Sequence, residues 1–572
     1  MEIYGADIRG IEGQLVRFNT VHEPDSRGVH VLGLAQKVVK EGVIRAQKAI
    51  ETLPGNWTVV TTQGYTFDLT PAETPKTSSG LDLPIAIMLL VASVMQKLDS
   101  LDKRIESLKT DVEAAKNEEK RTRILDELEA LIHQKNNALE YRDRLRKNEG
   151  KYLLIGKLNI VSGRIEPPER GTLGMISSAA DGFAVIVPEE SETHAALIER
   201  AEKRFAAYKA SNLEEVWNVI LGVVSPRRVR YHKPNITRRT LQRYVPDLKA
   251  IEGVSRGKLA MTVALAGGHN ILLVGPPGHG KTMLAQAATR LLPDPTKTEL
   301  FEINKIYSAA GLLRENEIIL ERPYQEAHRN TTSAALYGGG NPLRPGIVSL
   351  AHRGVLLLDE INTFPGLVVE ALRVPLNNKV IPVQRANYST EFPCRFILVA
   401  AMNPCKCGWY NHFVCPTCRR TYFGPGARCT LHKEMRLVSQ CRCSPHDIER
   451  FKAALSKPLL DRIDLKVLIY DTGEDIAFDF ATKTVRNKIE RARQIQTARY
   501  KHSGFISCNA DIPDRSQFGP VEAETDQHLK SLYQRLRITP RMEVKTLLVA
   551  RTIADLYGSA RLTPKHVDLA VD

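Results

Sequence analysis

Apolar residues change their spacing several times along this chain, and each change predicts a different element. In residues 36–52, Val38, Val39, Val43, Ile44 and Ala46 recur at helical spacing on one face. Short apolar runs bounded by turn residues, at 28–34 (GVHVLGL), 57–61 and 152–160, read as strands. The same mixture continues to Pro188, so 1–95 and 150–224 predict one α/β domain in two pieces. Between them the spacing becomes that of a coiled coil. Leu98, Leu101, Ile105, Leu108, Val112 and Ala115 step by three and four, and Ile124, Leu128, Leu131 and Leu139 make a second, less regular seam. A polar break at 116–120 lets the two helices fold back as a hairpin over 96–149; one long solvated helix is the alternative. Either form is an arm for contacts with a protein partner, with no chemistry of its own.

The second half carries continuous apolar runs: ILLV at 271–274, GVLLLDEI at 354–361 and FILVAAMN at 396–403. Runs of this kind are strands buried on both faces, as in a parallel sheet. They predict a core over 244–475, reached through a basic linker at 225–243. Helical spacing at 485–500 and 543–556 predicts a helical lid over 476–572. The linker holds Arg227, Arg228, Arg230, Arg238, Arg239 and Arg243, which could touch nucleic acid or form a solvated connector.

Candidate chemistry begins directly after the first of these runs. Gly275, Pro276, Pro277, Gly278, His279, Gly280, Lys281 and Thr282 read GPPGHGKT, between a strand and the helical pattern 283–292. Strand, glycine-rich loop and helix are the context of a phosphate-binding loop. The glycines allow successive N–H groups to face one concavity at the positive end of the helix. Lys281 then reaches the β- and γ-phosphates of ATP, and Thr282 holds Mg²⁺. Asp359 and Glu360 end the second run: Asp359 is expected to serve Mg²⁺, and Glu360 to orient the attacking water. Asn403 ends the third run, where it can bond the γ-phosphate or the water. Phosphoryl transfer also needs positive charge in the transition state, and Arg462 and Arg541 are candidates.

Cysteine usage adds a metal. Of nine cysteines, seven lie between Cys405 and Cys443, which is unlike a secreted disulfide framework. Two tetrahedral Zn²⁺ sites fit: Cys405, Cys407, Cys441 and Cys443 as an outer set, and Cys415, Cys418, Cys429 and His432 as an inner one. The pairing is open to an interleaved alternative. Each structural zinc contributes on the order of 10 kcal/mol to local folding. Cys394 and Cys508 stand apart as ordinary thiols.

The 572 residues are too many for one core, and the formal net charge of +15 favours a polyanionic partner. MEIYGADIRG lacks the basic and apolar regions of a secretory leader. The apolar run 81–95 is too short, and too interrupted by Asp82 and Pro84, to span a bilayer. A cytoplasmic protein without membrane association is the expectation.

With these residues in place, the chain resembles the ComM/YifB group of magnesium-chelatase-like AAA+ ATPases. The resemblance rests on GLDLPIA (80–86), AGGHNILLVGPPGHGKTML (266–284), YGGGNPLRPGIVSLAHRGVLLLDEIN (337–362), AAMNPCKCG (400–408), CRCS, KPLLDRIDL (457–465) and VARTIADL (549–556). It implies a hexameric, DNA-dependent ATPase, with branch migration of DNA in natural transformation as the associated activity. By resemblance Asn403 matches sensor 1, Arg462 an arginine acting on the neighbouring subunit, and Arg541 sensor 2, though Thr-Pro-Arg replaces the usual Ser-Ala-Arg. The segment 337–346 is expected to face a central pore, which makes Arg344 and Lys305 candidates for DNA contact. The N-terminal domain resembles the proteolytic domain of Lon. Leu81 or Asp82 stands where the Lon serine would be and Gly174 where the lysine would be, so no protease is implied. The helical insertion and the inner cysteine set depart from the family pattern. The expected architecture is therefore multidomain α/β: a Lon-like N-terminal domain with a coiled-coil insertion, an AAA+ parallel-sheet core with a zinc-binding insertion, and a helical lid. An ATP-driven remodeller of a protein complex is the rival to a DNA motor.

Overall fold

The computed structural model describes residues 2–571 apart from 24–27, 34–36, 55–63, 116, 233–234, 237–246, 253, 386–387, 411, 418–420, 424–435, 438–440, 470–477, 502–507, 513–520 and 537–539. The strand expected at 57–61 lies outside the described residues. The fold is multidomain α/β.

Strands from both sides of the arm share one mixed eight-stranded sheet. Ile3–Arg9 lies at its centre, antiparallel to Glu12–Glu23 and parallel to Tyr152–Leu154. Phe18, Phe67 and Leu69 point from the sheet into a core shared with Leu83, Ile87 and Leu90 of the helix Asp82–Ala114. Lys37–Glu51 packs on that helix, and Asp82 at its start accepts two bonds from Arg45, Nε at 2.7 Å and Nη2 at 3.0 Å. Ser78 is a turn residue: its Oγ accepts from the Gly80 N–H at 2.9 Å.

The helix Asp82–Ala114 runs unbroken through the boundary expected at residue 95. Its first half is buried all round, and its second half continues unbroken as the ascending limb of the arm. Ser79–Ala114 is long and apolar enough to cross a membrane, but 78% of its apolar window is buried inside the protein. Leu98, Leu101, Ile105 and Leu108 are buried against the descending helix Glu118–Lys147. Asn117 caps that helix by accepting from Glu119 N at 3.0 Å. Arg104–Glu127 (3.1 Å) and Lys135–Asp102 (2.5 Å) tie the limbs together.

The second sheet is all parallel. Its strands are β1 (Ile271–Val274), β2 (Tyr324–Ala327), β3 (Val355–Leu358), β4 (Ile397–Met402) and β5 (Leu465–Leu468). They run in the spatial order β2-β3-β4-β1-β5. β1, β3 and β4 are almost entirely buried because helices cover both faces. A helical region follows, with Thr482–Arg499, Ala523–Leu536, Pro540–Leu556 and Pro564–Val571. Among the bonds that hold the two sheet units together, Arg170 Nη1 donates to Leu343 O at 2.7 Å, Gly171 N to Ser308 O at 2.8 Å, and His194 Nε2 meets Glu317 O at 3.0 Å.

Of the six basic-linker arginines, Arg227 pairs with Glu215 and Glu189, and Arg228 with Glu199 at 3.0 Å. Both side chains pair with acids of the N-terminal unit and stay partly exposed. Arg238, Arg239 and Arg243 lie outside the described residues.

Candidate nucleotide site and cysteine knuckle

In a parallel sheet the C-terminal strand ends form the natural binding edge. β1, β3 and β4 are neighbours there, and each releases its candidate residues at that edge. After β1 the loop 275–280 leads into the helix Lys281–Leu291. Gly278 (φ +80°) and Gly280 (φ +70°) adopt left-handed backbone, which only glycine takes at little cost. Lys281, nine-tenths buried, donates to Gly275 O and Pro276 O at 2.7 Å each, and to Asn403 Oδ1 at 2.9 Å. Burial holds its ammonium below the ordinary lysine range, against the opposing charges of Asp359 and Glu360. The ammonium is thus held by neutral acceptors in a partly dehydrated place, and an anionic oxygen would be a stronger partner.

Thr282 Oγ1 donates to Asp359 Oδ2 at 2.8 Å, across the end of β3. A hydroxyl and a carboxylate side by side, with their remaining lone pairs available, are hard oxygen donors that suit Mg²⁺. Glu360 takes a left-handed conformation (φ 50°, ψ 45°), and its side chain is exposed. Its own N–H donates to Asp359 Oδ1 at 2.9 Å. Its carbonyl accepts from Thr363 N at 2.7 Å and Thr363 Oγ1 at 2.8 Å. A non-glycine residue costs about 1–3 kcal/mol in such a region and persists where neighbours fix it.

Lys281, Thr282, Asp359 and Asn403 therefore form one bonded constellation, with Glu360 next to it in sequence. Arg462 lies elsewhere, between the short helix Lys457–Leu460 and β5, and its Nη1 donates to Pro458 O at 2.5 Å. Arg541 stands in the first turn of Pro540–Leu556. Arg344 is exposed on a two-stranded hairpin, opposite Gly339. Lys305 requires a correction. It is nine-tenths buried, ion-paired with Glu12, and close to the Phe301 ring at 5.5 Å. Its charge joins the two sheet units.

The outer cysteines converge. Cys405, Cys407, Cys441 and Cys443 place all four sulfurs within 4.8 Å of one another. Cys405 Sγ is 3.3 Å from Cys407 Sγ and 3.7 Å from Cys441 Sγ. Four thiols at such separations fit a tetrahedral Zn²⁺. Burial and the neighbouring thiols push Cys405 up to about 12. For Cys407 burial acts the same way but is outweighed by the N–H groups of Trp409 and Arg442, which help bring it to about 6. Of the inner set, Cys415 is buried at the end of the strand His412–Val414; Cys418, Cys429 and His432 lie outside the described residues. Cys394 and Cys508 are buried thiols pushed up to about 12 and 11 by burial.

Two features escaped the sequence reading. Asn270, immediately before β1 at its N-terminal end, accepts from Leu398 N at 3.0 Å and donates through Nδ2 to Arg462 O at 3.4 Å. Its backbone N–H donates to Asp464 Oδ2 at 2.8 Å, and Asp464 pairs with Lys545 of the helical region at 2.6 Å. The second feature is Gly408–Trp409, which packs on the phosphate-loop sequence. Its only signal was position, directly after Cys-x-Cys.

Comparison with known proteins agrees with this arrangement. The model of the magnesium chelatase subunit ChlI matches residues 247–423 and 426–475, and that of the ChlI C-terminal region matches 480–572. A further model, subunit ChlI of Mg-chelatase, matches 20–108. YifB of Escherichia coli (strain K12) is 29% identical over 555 residues, covering 95% of this chain and 91% of that protein. The competence protein ComM of Haemophilus influenzae is 29% identical over 591 residues, covering 99% and 95%. The magnesium-chelatase subunit ChlI of Guillardia theta is 27% identical over 197 residues, 30% of this chain and 55% of that one. Near full-length similarity, the three chelatase segments and the parallel-sheet core together place this chain in the ComM/YifB family of magnesium-chelatase-like AAA+ proteins.

Proposed function

We propose that the chain is an ATP-driven ring motor, hexameric in its working form, that acts on single-stranded or branched DNA in the cytoplasm. The observation that carries this reading is the bonded constellation of Lys281, Asn403, Thr282 and Asp359 at three adjacent strand ends.

In this reading Lys281 and the loop N–H groups bind the phosphates of ATP. Mg²⁺, held by Thr282 and Asp359, neutralises charge on the β- and γ-phosphates when bound. Glu360 accepts a proton from the water as its oxygen bonds to the γ-phosphorus. The bond from that phosphorus to the ADP oxygen breaks. Asn403 orients the water or the γ-phosphate. Arg462, presented by the next copy in the ring, stabilises the spreading charge, and Arg541 reports nucleotide state from the lid. Arg344 is a DNA contact, and the zinc sites stabilise the 405–443 insertion. The resemblance to a competence protein supports branch migration during natural transformation as the setting.

The charged arm favours one further element, a protein partner docked on 96–149. ATPase rates with no DNA, single strands, duplex and a four-way junction, at stated salt, test the reading. Strong stimulation, greatest on the junction, is expected. Intact basal hydrolysis with a flat response would replace the DNA motor with a remodeller of a protein complex.

A further inference from the structure

The cysteine cluster stands against the nucleotide site. Asn403, which bonds Lys281, is followed two residues later by Cys405. Gly408 closes the turn after the first cysteine pair: its N–H donates to Cys405 O at 3.0 Å. Its φ is +84°, and a Cβ there would lie 2.4 Å from Pro277 Cδ and 3.4 Å from Pro276 Cα. Trp409 meets His279 edge to face, with ring centroids 5.9 Å apart and planes at 77°. His279 Nδ1 in turn lies 3.1 Å from Pro277 O. The returning segment is tied to the same turn, because Cys407 N donates to Cys443 Sγ at 3.4 Å.

We propose that the metal-loaded knuckle seats the phosphate-binding loop, with Gly408 and Trp409 as positioning residues. Nucleotide affinity then depends on metal at Cys405, Cys407, Cys441 and Cys443. The loop needs such a seat. Pro277 and Gly278 are exposed, and Gly278 and Gly280 give the backbone conformations to escape to. A loop held in its binding form before ATP arrives avoids the ordering cost on binding. Metal held by the four thiolates would fix the shape of the turn that carries Gly408 and Trp409. The chain of contact runs from metal ligands through Gly408 and Trp409 to Pro277 and His279. The proposal rests on the nucleotide reading of 275–282.

The test uses the full-length protein and a fluorescent ATP analogue with Mg²⁺. Binding is measured for zinc-loaded wild type, for wild type stripped by a chelator and then reloaded, and for Trp409→Ala, Trp409→Phe and Lys281→Ala. Zinc content is measured on each sample. Trp409→Ala keeps its zinc but binds about tenfold more weakly, and Trp409→Phe recovers most of the affinity because an aromatic edge is restored. In turnover, Trp409→Ala raises KM for ATP about tenfold and leaves kcat within about twofold, as loss of ground-state seating requires. Stripping weakens binding and reloading restores it. Wild-type affinity in zinc-loaded Trp409→Ala, or in the stripped protein, overturns the proposal. If wild type binds no nucleotide, or Lys281→Ala binds as tightly, the nucleotide reading itself fails and takes the proposal with it.

Discussion

Lys281 Nζ donates to Asn403 Oδ1 at 2.9 Å, joining the loop after β1 to the end of β4. Asn403 is thereby tied to the lysine. In Asn403→Ala the lysine keeps its two carbonyl partners, so nucleotide binding survives, while turnover falls by about tenfold or more through lost orientation. Lys281→Ala loses binding as well. Phosphate release and analogue binding, measured on the same samples, separate the two outcomes; equal loss of binding in both variants would refute the distinction.

Glu360→Gln retains the shape of the side chain and removes its basicity. Steady-state hydrolysis should drop by about 10²–10⁴-fold, the usual worth of a positioned base. Radiolabelled ATP should remain bound and uncleaved. Unchanged hydrolysis would remove Glu360 from the role of base.

Asp82 is 1% exposed and Arg45 20% exposed in their side-chain pair. Asp82→Ala leaves the guanidinium half-enclosed without this carboxylate, and stability should fall by about 3 kcal/mol. An apolar double replacement, Arg45→Met with Asp82→Leu, should recover much of that loss. Urea midpoints of the three proteins provide the comparison. A single variant as stable as wild type would show that the pair has no such role.

Two buried groups oppose one another in acid. Burial lowers His269 to about 4, with Asp464 opposing and Arg493 and Lys545 reinforcing. Its folded-state value lies below the unfolded one, so the neutral ring favours the fold above pH about 6.5, and that contribution is lost as pH falls toward 4. Burial raises Asp7 to about 6, despite the N–H groups of Thr77 and Ile8 and the charges of Arg170 and Lys76. The folded state therefore holds its proton more tightly, and stability is gained as pH falls through 6 toward the unfolded value. His269→Gln should flatten the acid loss of stability between pH 6.5 and 4, and Asp7→Asn should steepen it. Denaturant midpoints across that window check both signs.

The nucleotide constellation was legible because each part is a contiguous run whose chemistry depends on neighbours in sequence. GPPGHGKT carries its own turn residues, and apolar runs ending in Asp359 or Asn403 announce strand ends. The outer cysteines were legible for a similar reason, two close pairs that must meet. The continuity of the helix through residue 95 was not legible, because what changes there is burial, not helicity: one helix passes from full enclosure to a single covered face. Lys305 and Arg227 looked available since their partners, Glu12 and Glu215, lie 293 and 12 residues away, at separations that spacing does not pair. Spacing gives no signal for Trp409 against His279, a meeting that exists only once β1 and β4 lie side by side.

The helix Asp82–Ala114 is both a core element and the shaft of the arm. Its azimuth is fixed at the base, where Leu83, Ile87 and Leu90 are locked into the N-terminal core. One residue inserted in the shaft would swing everything beyond it by ~100°. Seven residues added to each limb would lengthen the arm and leave its bearing almost unchanged, a drift of about 20°. The reach of the arm is therefore free to vary in paired heptads, while the compass direction in which it points is dictated from inside the domain.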